Sequence, residues 1–224
     1  MFKGFTEETF SYFMAISVNN NVGFFEDNRA WYERAVKQPL QELAGALAPV
    51  LLEIDHAMEV RPAKVVSRIR RDTRFTNDKS PYRDHMWLGF RPAGVPKENT
   101  LGFYFDLGSR VSHYGMGFYG DNRPAMDVLR RHLSQDAAPF RDTTHAPLEI
   151  FELKGDRYKK LAVPESVPED MRVWYLQKGF YMERTTDDLR LLKSGALVAE
   201  LARGYQSLAP MYRYLMKLFD EIEM

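Results

Sequence analysis

Alternation of apolar and polar positions is cleanest between Thr100 and Leu107. Leu101, Phe103, Phe105 and Leu107 fall on one side, and Gly102, Tyr104 and Asp106 on the other. A period of two is the signature of a strand with one buried face. Gly108-Ser109 then leads into Val111 to Tyr119, which predicts a hairpin. His85 to Phe90 predicts a preceding strand, divided from the hairpin by a loop holding Pro92, Gly94 and Pro96. Sequential strands joined by short turns imply an antiparallel sheet, because parallel neighbours need a longer crossover.

Helical spacing dominates before and after this region. Thr6 followed by Glu7 and Glu8 predicts a helix start, with Phe10, Phe13, Met14 and Val18 on one face. Asn19-Asn20-Asn21 is expected to end that helix through a left-handed turn. From about Asp27 to Ile54 a second helical region carries Trp31, Leu40, Leu43, Leu47, Leu51 and Ile54, with Pro39 and Pro49 expected to bend or restart it. Pro124 opens a helix with Met126, Leu129 and Leu133. Leu148 to Leu153 and Gly179 to Arg184 are expected to add strands. After the cap at Thr186-Asp187-Asp188, one stripe of Leu197, Leu201, Tyr205 and Leu208 is followed, beyond Pro210, by another of Tyr212, Leu215, Met216 and Phe219. The pattern predicts an α+β fold: a mostly antiparallel sheet flanked by N-terminal and C-terminal helices. It forms one domain over residues 1–224, helical to 55, sheet-rich over 56–185 with a helix near 124–134, and helical again over 186–222.

Composition narrows the function classes. Hydrophobic residues at 45% allow a sizeable core, and 31 basic against 31 acidic residues give no net charge. Neutrality argues against nucleic acid as a partner, because a coating protein carries a strong basic excess. With no cysteine, disulfides, thiolate nucleophiles and cysteine-ligated metals are excluded. The opening Met1-Phe2-Lys3-Gly4-Phe5-Thr6 lacks the apolar core of a signal peptide, and no apolar run reaches the ~20 residues of a bilayer span. A soluble cytoplasmic protein without a membrane partner is expected.

One segment carries most of the candidate chemistry. Between Arg68 and His85 the chain sets Arg68, Arg70, Arg71, Arg74, Lys79 and Arg83 around Asp72, Asp78 and Asp84, with Phe75, Tyr82 and His85 among them. Arginine is a planar five-donor cation matched to carboxylate and phosphate. One reading is a site that binds or converts a small anionic metabolite, phosphorylated or not. Arg68 and Arg70 would lie on one face of a strand, Asp72 would orient an arginine, and Arg71, Arg74, Lys79, Tyr82 and Arg83 would complete the ligand contacts. A second reading is a scaffold or interaction protein in which the same charges form an internal ion-pair lattice. The third is a nucleic-acid-binding module, with Phe75 and Tyr82 stacking bases.

Acid–base candidates are few. His85, His113 and Tyr82 could exchange protons or contact a reacting group, and Tyr104 could position a ligand, yet no nucleophile is paired with any of them. His56, His85, His113, His132 and His145 are scattered, with no short-spaced pair, so neither metal nor cofactor is expected. Gly115, Gly117 and Gly120 touch a dinucleotide spacing but sit inside a predicted strand. They fit better a sheet surface that a ligand or another chain segment approaches closely, the floor of a pocket.

These residues also carry a resemblance. Phe2-Lys3-Gly4-Phe5-Thr6, Asn19-Asn20-Asn21, Phe25, Asn28-Arg29 and Tyr32-Glu33 come first. Arg71-Asp72-Thr73-Arg74-Phe75, Asp78-Lys79-Ser80-Pro81-Tyr82-Arg83, Gly115-Met116-Gly117 and the helix of Arg130 follow in order. Together they resemble the domain of unknown function 2461 family of bacterial and fungal proteins. The Arg-Asp-x-Arg-Phe and Asp-Lys-Ser-Pro-Tyr pair is the specific part. Val22-Gly23-Phe24 depart from the family pattern, which carries a charged pair and tryptophan after the asparagines, and the tail beyond Pro164 follows it loosely. The resemblance implies an α+β fold and supplies no activity, so the chemistry rests on the side chains.

Overall fold

The computed structural model describes residues 1–222 except Phe75, and of Asn99 the backbone alone. The chain begins with α1 (Glu7–Val18), α2 (Val22–Asp27), α3 (Arg29–Tyr32), a π-helical turn at Glu33–Lys37, and α4 (Gln38–Ile54). After α5 (Pro62–Val65) come β1 (Met86–Phe90), β2 (Leu101–Leu107) and β3 (Ser112–Phe118). Helices α6 (Arg123–Gln135), α7 (Ala138–Arg141) and α8 (His145–Ile150) lead to β4 (Glu152–Lys154). The last elements are α9 (Arg172–Tyr175), β5 (Tyr181–Thr186), α10 (Leu189–Leu192) and α11 (Ala196–Asp220). The fold is α+β, with a five-stranded antiparallel sheet in the order β1-β2-β3-β5-β4. Among the described residues no helix is long and apolar enough to cross a membrane.

The alternation in β2 sets the two faces of this sheet. Leu101, Phe103, Phe105 and Leu107 are buried, and Gly102, Tyr104 and Asp106 are less so. The buried face packs on α11, where the rings of Tyr205 and Tyr212 lie 5.2 and 5.1 Å from that of Phe103. Tyr205 Oη donates to the Tyr104 carbonyl at 2.9 Å, so the most buried phenol of the helix keeps a partner. Gly204 is the contact point beneath Tyr114, whose Cε2 would stand 2.8 Å from any Cβ placed there. Helix α4 lies against α11 with Leu40, Leu43, Leu47 and Leu51 fully buried, and the buried residues form one cluster.

Several local expectations are corrected. Leu148–Leu153 is mostly α8: only Glu152–Lys154 pairs with β5, and Leu148 is exposed. Helix α11 runs through Pro210 without a break, so the two apolar stripes belong to one helix of 25 residues. Pro39 sits in the first turn of α4 and Pro49 inside it. The first asparagine does not use a left-handed turn, since among the described residues no non-glycine φ is positive. Asn19 Nδ2 instead donates to Ala15 O at 3.1 Å, and Asn21 caps α2 by accepting from the Phe24 amide. Arg68 and Arg70 lie on no strand: residues 66–70 form a ribbon outside β1, held by isolated bridges from Val66 to Leu88 and from Arg70 to Tyr82.

Candidate functional site

The sheet face turned away from α11 is polar and low. In register across the strands, one row reads Trp87, Asp106, His113 and Thr185, and the next Gly89, Tyr104, Gly115 and Glu183. A third row holds Gly102, Gly117 and Tyr181. Gly115 gives the second row its shape. Having no side chain there lets Tyr104 on β2 reach across β3, where its hydroxyl donates to Glu183 Oε2 on β5 at 3.2 Å. A Cβ at Gly115 would fall 1.7 Å from Met182 O, and one at Gly117 2.3 Å from Tyr181 Cβ. The glycines of β3 therefore admit a close chain segment, and that segment is β5.

Over this face opens a cleft of about 1140 Å³. Its floor includes Asp106, His113, Tyr104 and Glu183, and its wall includes Lys64, Arg68, Arg70, Arg71, Arg83 and Arg91. The ribbon carries the first part of that wall along the sheet edge. Ser67 N–H donates to Trp87 O at 2.8 Å, and Arg83 N–H to Ile69 O at 2.9 Å. Ile69 is buried between the two arginines, which turns Arg68 and Arg70 outward by the period-two rule.

Arg83 organises the wall from behind. Its guanidinium donates to the carbonyls of Arg68 at 3.2 Å and Arg70 at 2.8 Å, and lies 4.8 Å above the Trp87 ring. Partial burial, then the nearby Arg71 charge, lowers its pKa from the usual guanidinium value. Beyond it the loop is tied within itself. Arg71 pairs with Asp78, Arg74 donates to Asp72 at 2.9 and 2.7 Å, and Lys79 Nζ donates to Thr73 O at 2.9 Å. The Arg74 hydrogen bond holds the Asp72 carboxyl down at about 2, and Arg71 with Ser80 likewise depresses Asp78. Among the described residues neither Arg68 nor Arg70 has an ion pair or side-chain hydrogen bond.

The floor has the opposite character. Burial raises the pKa of Asp106, and Asp84 and Glu183 push the same way, while His85 and His113 pull it down. No donor among the described residues reaches its carboxylate. His113 Nδ1 lies 3.1 Å from Thr185 Oγ1 and 3.8 Å from Glu183 Oε1. Burial, then the Glu183 charge, drives the Tyr104 phenol far above its ordinary value, so it stays a donor.

The anticipated ligand contacts thus divide. Arg68, Arg70, Arg71, Asp72 and Arg83 line the cleft; Arg74, Lys79 and Tyr82 are not among its lining residues. Of the acid–base candidates, His113 stands on the floor. His85 is beside the cleft, stacked on Trp87 at 5.9 Å and bonded to Asp84 at 3.0 Å. Tyr82 is buried. Phe75 lies outside the described residues. Asp106, Glu183, Lys64 and Arg91 were not anticipated, although Asp106 and Tyr104 stood on the polar side of the alternating strand. Among the described residues no group of acids and histidines is arranged to hold a metal.

Several of the N-terminal residues that carry the resemblance gather at or beside Tyr82. Asn20 Nδ2 donates to Tyr82 O at 2.9 Å while its Oδ1 accepts from Tyr82 N at 3.0 Å, and the Phe25 ring stacks on Tyr82 at 4.4 Å. Arg29 lies 5.1 Å over Phe25, and Tyr32 packs beside it at 5.6 Å. Residues 8–214 match the family described as conserved hypothetical protein (DUF2461). The chain belongs to that family. No curated protein matches it. In this DUF2461 member, the N-terminal part of the motif is thus a brace, packed behind the segment that carries Arg83. Arg130, on α6, is a brace of the same kind. It is almost buried, and donates to Tyr175 O at 2.8 Å, to Gln177 O and to Asp127 at 2.6 Å.

Proposed function

We propose that the cleft binds a small anionic metabolite, phosphate- or carboxylate-bearing, on the wall supplied by Arg68 and Arg70. One observation carries the reading: both arginines line the cleft, both are exposed, and among the described residues neither is neutralised by an acid. Guanidinium groups in such a setting grip an anion through paired N–H donors. Arg83 directs its own donors to the two carbonyls, which holds the ribbon in place. Any conversion of the bound molecule would fall to His113, the acid–base candidate on the floor.

A second reading suits the neighbouring loop. The pairs Arg71–Asp78 and Arg74–Asp72, with Lys79 on the Thr73 carbonyl, support an architectural lattice over residues 71–80. The two readings concern different parts of one charged segment, and the same measurement separates them. Thermal unfolding with increasing inorganic phosphate should show a rising Tm, on the order of 5 °C at a hundredfold excess over Kd. The double variant Arg68→Ala/Arg70→Ala should abolish that rise, whereas Arg74→Ala and Lys79→Ala should lower the starting Tm and keep it. The proposal fails if phosphate has no effect, or if the rise survives in Arg68→Ala/Arg70→Ala.

A further inference from the structure

The cleft carries charge of both signs, and the two signs are spatially sorted. Val66 of the ribbon pairs with Leu88, so Arg68 stands about one strand spacing outside β1, with Arg70 further along the ribbon opposite Tyr82, and Asp106 on β2 one spacing inside it. At about 4.8 Å per spacing the two backbones are on the order of 10 Å apart. Glu183 lies further along the floor, on β5 beyond β3. From the arrangement of wall and floor we infer that the ligand is bipolar: an anionic group on Arg68 and Arg70, and a hydrogen-donating end, hydroxyl or ammonium, on the carboxylates of Asp106 and Glu183. The inference rests on the anion-binding reading and says what the other end of the molecule must be.

The floor asks for donors. Glu183 takes one hydrogen bond from Tyr104, with His113 at 3.8 Å from its other oxygen, and both carboxylates line the cleft. Asp106 has none among the described residues, although it is partly withdrawn from water. The charged groups that bear most on it are His85, His113, Asp84 and Glu183; burial and the two acids make its carboxylate costly, and the imidazoles offset part of this. The Asp106 oxygens are not among the buried side-chain atoms left without a partner, so water in the open cleft serves them, and a ligand that settles on the floor must replace those donors with its own. A molecule anionic along its whole length would bring like charge to the floor. One with hydroxyls or an ammonium at a hexose's distance from its phosphate satisfies both sides.

Isothermal titration of the full chain with three phosphates tests this: hexyl phosphate, 6-aminohexyl phosphate and glucose 6-phosphate. All three offer the same anionic head, and only the last two offer donors at the far end, the comparison between them assigning ammonium or hydroxyl. At least one donor-bearing probe should bind on the order of tenfold more tightly than hexyl phosphate. Asp106→Asn and Glu183→Gln should bring that ratio toward one while hexyl phosphate still binds, which itself reports that each variant is folded. Equal affinity for the three probes overturns the bipolar ligand and leaves the anion site standing, as does a ratio that survives in both variants. If none of the three binds, nor inorganic phosphate, the anion site is overturned with it.

Discussion

Replacing Asn20 by alanine should destabilise this protein more than the same change at Asn19 or Asn21. The Asn20 amide makes two hydrogen bonds to the backbone of Tyr82, at 2.9 and 3.0 Å, across 62 positions of sequence. Each is worth ~0.5–1.5 kcal/mol net, and orphaning the amide of a buried residue adds part of its desolvation cost. Tyr82 is only 3% exposed, so water replaces these bonds poorly. A loss of about 2–3 kcal/mol follows, or about 4–12 °C in Tm for a chain of this size. Asn21 accepts one capping bond from the Phe24 amide, and its loss should cost about 1 kcal/mol. Asn19 only donates within its own helix on an exposed turn, and should cost less than ~0.5 kcal/mol. Urea unfolding followed by tryptophan fluorescence gives the three midpoints, and unchanged m-values would assign the shifts to stability. If the asparagines merely end a helix, the three losses will be alike or largest at Asn19. That outcome, or a loss at Asn20 below ~0.5 kcal/mol, refutes the brace.

Two further outcomes follow from the floor. Because the folded-state pKa of Asp106 is raised, the folded protein holds its proton more tightly than the unfolded chain does, so its stabilising contribution is present at low pH and is lost as pH rises through the folded value. Asp106→Asn should therefore gain stability relative to the parent as pH rises above the ordinary carboxylate range, read from paired Tm profiles; a flat or falling difference contradicts the assignment. Gly115→Ala should cost ~3 kcal/mol or more, because its Cβ would meet the backbone of Met182 at 1.7 Å, and strands cannot yield as a side-chain tip can. A variant that unfolds within ~1 kcal/mol of the parent would show that β5 sits further from β3 than described.

Much of the fold was legible because it rests on local period. The alternation of Leu101 to Leu107 marked both the strand and the side that faces the core, and Pro124 marked the start of α6. Errors came where two elements share one apolar run. Leu148–Leu153 satisfies a strand pattern, yet the segment turns from helix to strand at Phe151, and its short β4 owes its pairing to β5. The position of β5 was itself invisible to local patterns: it pairs with β3 across more than 60 residues, from Met116 to Met182. The cleft was half visible for the same reason. A dense run of arginines can be seen along the chain, but which are already matched depends on where Asp72 and Asp78 turn. Glu183 joins Tyr104 only because Gly115 stands between them in the register.

The basic ribbon borders the sheet. It meets β1 through backbone bonds and the Ser67 hydroxyl and gives Ile69 to the core, while most of the core lies on β2, β3, β5, α4 and α11. Outward residues on such a border can drift without disturbing the packed interior, whereas the floor is chained to strand register. On the proposed reading, a substitution at Arg68 or Arg70 would retune the grip on an anion without moving the strands that carry Asp106 and Glu183.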